Sequence, residues 1–185
     1  MRVIAGQAKN KKLKAPPDLS TRPITDMIKE ALFNVLGSKV HDAIFLDLFA
    51  GSGSVGIEAL SRGAKQVVFV DSSYNAVKII KYNLEQCRFS TGVEVYKNDV
   101  FKALDILEKR KLVFNIIYID PPFTNPDIFD EVMSYLDDKP QLLEPSGIII
   151  IRTQRKKSLP EQYKNLRKSR LSEYGESVLH YYCKP

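Results

Sequence analysis

Cysteine is scarce: Cys87 and Cys183 are the only two in 185 residues, which excludes the disulfide framework of a small secreted domain. The two histidines, His41 and His180, have no cysteine or acid at metal-ligand spacing, so no metal site is expected and both read as packing or surface residues. Long apolar runs are missing too. The longest, such as 147–151, are strand-sized and far short of the roughly 20 residues that cross a bilayer. The opening segment holds no apolar stretch suited to an export signal. No internal repeat or low-complexity tract is evident. These absences predict a reduced, cytoplasmic protein with no membrane partner. At this length, with 44% hydrophobic residues, one sizeable core is possible, so a single domain over 1–185 is expected, comprising an arm and helix at 1–40 and a core at 41–185.

Charge is present in excess of one sign and is unevenly placed. Lys and Arg number 28 against 22 Asp and Glu, a net charge of +6. Residues 1–22 carry a balance of +5, residues 152–170 carry +7, and the remaining chain is therefore near −6. Two basic ends around an acidic middle suit a protein that grips a polyanion at its margins. Solubilising charge is the alternative reading.

The hydrophobic pattern divides the chain. Residues 1–15 read as a short hairpin or arm ending at Ala15-Pro16-Pro17, and 24–36 as a helix with Thr25 and Asp26 at its start and Gly37 beyond its end. From residue 43 strands alternate with helices: strands at 43–49, 66–71, 93–97, 113–119 and 147–152, helices at 54–62, 73–87, 100–109 and 126–137. That alternation predicts βαβ units and a parallel sheet covered on both faces. Two further strand-like runs, 163–171 and 177–182, flank a turn and predict a terminal antiparallel hairpin on the sheet edge.

Asp47-Leu48-Phe49-Ala50-Gly51-Ser52-Gly53-Ser54-Val55-Gly56 falls where the first strand meets its helix, the ligand-binding position of an open α/β sheet. Gly51 and Gly53 permit close backbone approach to a ligand, and Gly56 permits close helix packing. On pattern alone this is a dinucleotide fingerprint. Asp47 points elsewhere, because a carboxylate before the turn repels a pyrophosphate but pairs with the ammonium of S-adenosylmethionine. Asp71, at the tip of the second strand, is placed to accept ribose hydroxyls. Asp99 has two readings, acceptor for an adenine amine or helix N-cap.

The fourth strand ends at Asp120-Pro121-Pro122-Phe123, again at the carboxyl edge. Pro-Pro alone reads as a strand stop. With an acid before and an aromatic after, the chemistry of a nucleobase amine explains the composition. Its lone pair is delocalised into the ring, so it must be held out of plane while positive charge develops. Asp120 and the carbonyl of Pro121 can each accept one N–H, the prolines aim that carbonyl in advance, and Phe123 offers a stacking face.

These motifs resemble the bacterial 16S ribosomal RNA guanine-N2 methyltransferases over nearly the whole chain. The match includes Arg2-Val3-Ile4-Ala5-Gly6, Thr21-Arg22-Pro23-Ile24-Thr25-Asp26 leading into Glu30-Ala31-Leu32-Phe33-Asn34-Val35-Leu36, the glycine loop, and the Asp-Pro-Pro-Phe tetrapeptide. The resemblance implies a class I, Rossmann-like S-adenosylmethionine-dependent fold with a mostly parallel seven-stranded sheet, and methylation of guanine 966. It implies cofactor contacts from Asp47, Phe49, Gly51 and Gly53, from Asp71 and Ser72, and from Asp99 and Val100. Catalysis is assigned to Asp120, Pro121, Pro122 and Phe123, and RNA contact to Arg2, Lys11, Lys12, Arg22, Thr25 and Arg152. The implied partner is ribosomal RNA in the small subunit or its assembly intermediate, with the enzyme a monomer. Two positions depart from the family pattern: Ile24, where threonine is frequent, and Arg152, near a frequent glutamate. A DNA adenine methyltransferase and a non-catalytic RNA-binding assembly factor remain as alternatives.

Overall fold

The computed structural model describes residues 1–16 and 24–185. Its centre is a seven-stranded sheet formed by β1 (Ile44–Leu48), β2 (Gln66–Asp71), β3 (Val93–Lys97), β4 (Phe114–Ile119), β5 (Leu143–Gln154), β6 (Arg167–Tyr174) and β7 (Ser177–Cys183), in the order β3-β2-β1-β4-β5-β7-β6. The first five strands are parallel to one another, and β7 runs antiparallel between β5 and β6. Helices α1 (Asp26–Leu36), α2 (Ser54–Ser61), α3 (Tyr74–Gln86), α4 (Val100–Lys109) and α5 (Ile128–Asp137) complete it. None of the described helices is long and apolar enough to cross a membrane.

The period-two alternation of the central strands sorts their side chains into two cores. Phe45, Phe69, Ile116 and Tyr118 pack with Leu32 of α1, Ile57 of α2 and Ile80 of α3. Leu46, Val68, Ile117 and Ile119 pack on the other face with Leu104 of α4 and Met133 of α5. Local signals set the helix ends: the Thr25 hydroxyl accepts from the Ile28 N–H at the start of α1, and Gly37 closes its end at φ +53°.

The sheet's far edge differs from the sequence expectation. Strand β6 begins at Arg167 rather than 163, because the Asp137 carboxylate accepts the N–H groups of Lys164 and Asn165 and holds them in a turn. Strand β5 starts early, at Leu143, which pairs with Phe114 before a register shift returns the pairing at Ile148. Cys183 closes β7 opposite Arg167. Tyr181 and Tyr182 on the same strand are buried in the sheet packing.

Gly56 shows how tightly α2 sits on the sheet. A Cβ built there would lie 2.3 Å from Cε1 of Phe69 and 2.9 Å from Cγ1 of Val67. Gly56→Ala is therefore expected to cost about 1–3 kcal/mol through overpacking. Thermal unfolding would register this as a fall of roughly 2–4 °C per kcal/mol.

Candidate active site

Parallel pairing sets Leu48 of β1 beside Ile119 of β4, and the N–H of Asp120 donates to the Leu48 carbonyl at 3.3 Å. The two motifs thus leave adjacent strands at the same edge. Strand order reverses between these two strands, which makes the edge a topological switch point, where a ligand crevice opens.

The glycine loop after β1 is built from left-handed backbone: Phe49 at φ +59°, Gly51 at +56° and Gly53 at +74°. Phe49 has a Cβ and still adopts this conformation, so the loop stores strain at a site of function. Asp71 at the end of β2 ties down the loop with one oxygen and the start of α3 with the other. The Gly51 N–H donates to Asp71 Oδ2 at 2.8 Å, and the Ser73 N–H donates to Oδ1 at 2.8 Å. Each Asp71 oxygen has a second lone pair beyond these bonds. The space beside Gly51 is open: a Cβ there would meet only the Phe49 carbonyl oxygen, 4.0 Å away. An open backbone edge next to a partly exposed carboxylate fits a ribose-bearing cofactor such as S-adenosylmethionine.

Asp47 is buried beneath this loop, where its Oδ2 accepts from the Gly56 N–H at 2.9 Å. Burial pushes its carboxyl well above the usual carboxylate range, and nearby Asp120 and Asp71 add to the rise. Asp99 N-caps α4: one oxygen accepts from Phe101 and Lys102, at 3.0 and 3.2 Å. The N-cap reading therefore holds, and it leaves this exposed carboxylate at the carboxyl end of β3. Ser72 is exposed and Val100 is buried on either side of that rim.

The Asp120 carboxylate has a partner on each oxygen. Arg152 Nε donates to Oδ1 at 2.8 Å, and the Tyr118 hydroxyl donates to Oδ2 at 3.3 Å. Burial raises the Asp120 carboxyl above its ordinary range, and the guanidinium pulls it back. The Arg152 guanidinium also lies 5.1 Å from the centre of the Phe123 ring, which in turn packs at 6.1 Å from Phe129. Arg152, expected on the basic RNA surface, is instead 2% exposed. Its place on β5 directly follows the Ile119–Ile151 pair, so the register delivers it to Asp120 rather than to solvent.

Of the other RNA candidates, Lys11 and Lys12 are exposed on the arm, Arg2 is exposed and pairs with Asp26 at 3.5 Å, and Arg22 lies outside the described residues. Thr25 caps α1. Sequence reasoning missed a set of buried polar residues that fix the arm to the helices and the glycine loop. Glu58 accepts the N–H groups of Ile4 and Ala5 at 2.7 and 3.0 Å, and Lys29 donates to the Arg2 carbonyl and to Ser54. Asn83 donates to the carbonyls of both Lys14 and Ser52, linking arm to glycine loop. Lys29, Glu58 and Asn83 lie on inward faces of helices, and a polar residue at an apolar position was the only signal available. Tyr118 had a clearer one, since two residues before Asp120 on a strand is the same face.

Residues 1–183 match the family described as Conserved hypothetical protein 95. The chain belongs to that family. The Bacillus subtilis protein YlbH is 41% identical over 175 residues, covering 95% of this chain and 94% of that one. The ribosomal RNA small subunit methyltransferase D of Haemophilus influenzae is 34% identical over 167 residues, covering 88% and 84%. Among solved structures, Escherichia coli yhhF superposes with a TM-score of 0.85 at 28% identity over 100% of this chain and 97% of that chain. An RNA methyltransferase from Salinibacter ruber in complex with S-adenosyl-L-homocysteine shares the fold, with a TM-score of 0.67 at 16% identity over 89% and 94%. The fold is the class I, Rossmann-like fold of S-adenosylmethionine-dependent methyltransferases.

Proposed function

We propose that this chain is an S-adenosylmethionine-dependent methyltransferase that modifies the N2 amine of a guanine, position 966, in the ribosomal RNA of the small subunit. The observation that carries this reading is the meeting of the glycine loop and the Asp-Pro-Pro-Phe segment at the β1/β4 edge. The name of the Haemophilus influenzae relative supports the ribosomal substrate, and the exposed Lys11 and Lys12 support contact with phosphates.

In this reading Gly51, Gly53 and Asp71 hold the cofactor, with Asp47, Phe49, Ser72, Asp99 and Val100 forming the rest of its rim. The cofactor supplies an electrophilic methyl group on a sulfonium. Asp120 and the Pro121 carbonyl each accept one N–H of the target amine, which turns the nitrogen lone pair toward that methyl. Both bonds strengthen as the nitrogen becomes cationic, so they favour the transition state over the ground state. Pro121 and Pro122 keep the carbonyl aimed before the base arrives. The Phe123 ring stacks on the extruded base, worth about 1–3 kcal/mol. The methylated nitrogen is strongly acidic, so its surplus proton leaves without a strong base.

The test is methyl transfer to purified small subunits from a strain lacking the modification, with naked ribosomal RNA and DNA offered in parallel. Incorporation confined to the ribosomal substrate is expected; incorporation into DNA adenine, or none, overturns the reading. Calorimetry gives a second expectation: S-adenosylmethionine binds with micromolar affinity, about −8 kcal/mol, and NAD shows no heat.

A further inference from the structure

Arg152, displaced by burial from the RNA surface expected for it, touches both halves of the proposed target-base site. Its Nε holds Oδ1 of Asp120 at 2.8 Å, and its guanidinium lies 5.1 Å from the Phe123 ring centre. Its side chain is 3% exposed and that of Asp120 is 14% exposed, so water screens the pair poorly. Resting on the methyltransferase reading, we propose that Arg152 is the positioning residue of the target-amine site: it fixes the Asp120 carboxylate and the Phe123 ring relative to each other, and so keeps an ionised acceptor beside the stacking face.

The surroundings explain why a cation is needed there. Asp120 faces the Asp47 carboxyl on β1, the Tyr118 hydroxyl on its own strand and Arg152 on β5. Burial favours the neutral acid, which would present a hydrogen to the target amine's N–H groups and lose value as an acceptor. Arg152 is the positive charge in direct contact with the carboxylate, and it opposes that protonation. Tyr118 fills Oδ2 and leaves the carboxylate no freedom to rotate away from the guanidinium. The geometry of a fork matters as well as its charge. A lysine ammonium could replace the ion pair but has no plane to lay against Phe123.

The experiment compares wild type, Arg152→Lys and Arg152→Gln, in each case after calorimetry with S-adenosylmethionine has confirmed a folded, cofactor-binding protein. Carbon-13 NMR of the Asp120 side chain follows its titration, and methyl transfer to small subunits is measured across pH. We expect Arg152→Gln to raise the Asp120 midpoint by at least about one unit, move the acid limb of kcat by the same amount, and lower kcat at least tenfold at unchanged KM for S-adenosylmethionine. Arg152→Lys should restore the midpoint and the acid limb, while its KM for the ribosomal substrate stays raised because the ring loses its cover. An unchanged Asp120 midpoint and acid limb in Arg152→Gln overturns the proposal. Loss of cofactor binding in both variants does so too, because it makes Arg152 a general support of the fold. The NMR titration needs no turnover, so a wild-type protein inactive on small subunits overturns the methyltransferase reading alone.

Discussion

Asp120→Asn is expected to bind S-adenosylmethionine like the wild type and to transfer methyl at least about a hundredfold more slowly, the loss typical of removing one charged contact to a transition state. The amide keeps the volume and one acceptor oxygen, but it cannot offset the charge that grows on the target nitrogen. Asparagine is preferred to alanine for a structural reason. Alanine would leave Arg152 without its carboxylate in a site where the guanidinium is 3% exposed, and unpairing a buried charge costs about 3–5 kcal/mol. Lost activity in Asp120→Ala would then mix chemistry with unfolding. Single-turnover assays with saturating cofactor distinguish the two variants, and full activity in Asp120→Asn would remove the carboxylate from the mechanism.

The largest expected effect on stability lies at the other end of the site. Glu58→Ala is expected to lower stability by about 3–5 kcal/mol, because Lys29 would then keep its charge in a fully buried position. Glu58 and Lys29 both have side chains of 0% exposure and lie 3.4 Å apart, and burial already pulls the Lys29 ammonium below the usual lysine range. The same substitution strips the acceptor from the Ile4 and Ala5 N–H groups and from Arg62. For a chain of this length the loss corresponds to a fall in Tm on the order of 10 °C. Lys29→Met combined with Glu58→Leu should recover much of that stability, since a packed apolar pair replaces a buried ion pair with little cost. It should not recover the arm, whose N–H groups stay unpaired. Affinity for small subunits, measured as a function of salt, is expected to remain weakened in the double variant, with a shallower salt dependence as Lys11 and Lys12 lose their fixed place. Wild-type affinity in the double variant would show that the arm's anchorage has no role in substrate binding.

Much of this architecture was legible in the linear pattern. Alternating apolar strands and amphipathic helices specified a parallel sheet with two covered faces, glycine at 51 and 53 marked a turn of left-handed backbone, and glycine at 56 marked the close approach of a helix to the sheet. Asp120-Pro121-Pro122-Phe123 was legible because an acid, two rigid prolines and an aromatic ring directly follow the end of an apolar strand. All of these are local signals: each depends on residues a few positions apart. The turn at 163–166 was not legible, because the acid that forms it, Asp137, is 27 residues from Lys164.

Sequence by itself determined which residue types stand at the rim of the sheet and which chemistry they can do. Tertiary structure decided which of them meet. Arg152 read as one more cation in a basic stretch until strand register set it against Asp120, 32 residues earlier. The buried Lys29–Glu58 pair joins α1 to α2, and Asn83 joins the arm to the glycine loop across 69 and 31 residues. Charge patterning along a chain cannot separate a solvated cation from a buried one. That distinction rests on burial and on the partner that a distant strand or helix brings within about 3 Å, and both exist only once the chain has packed.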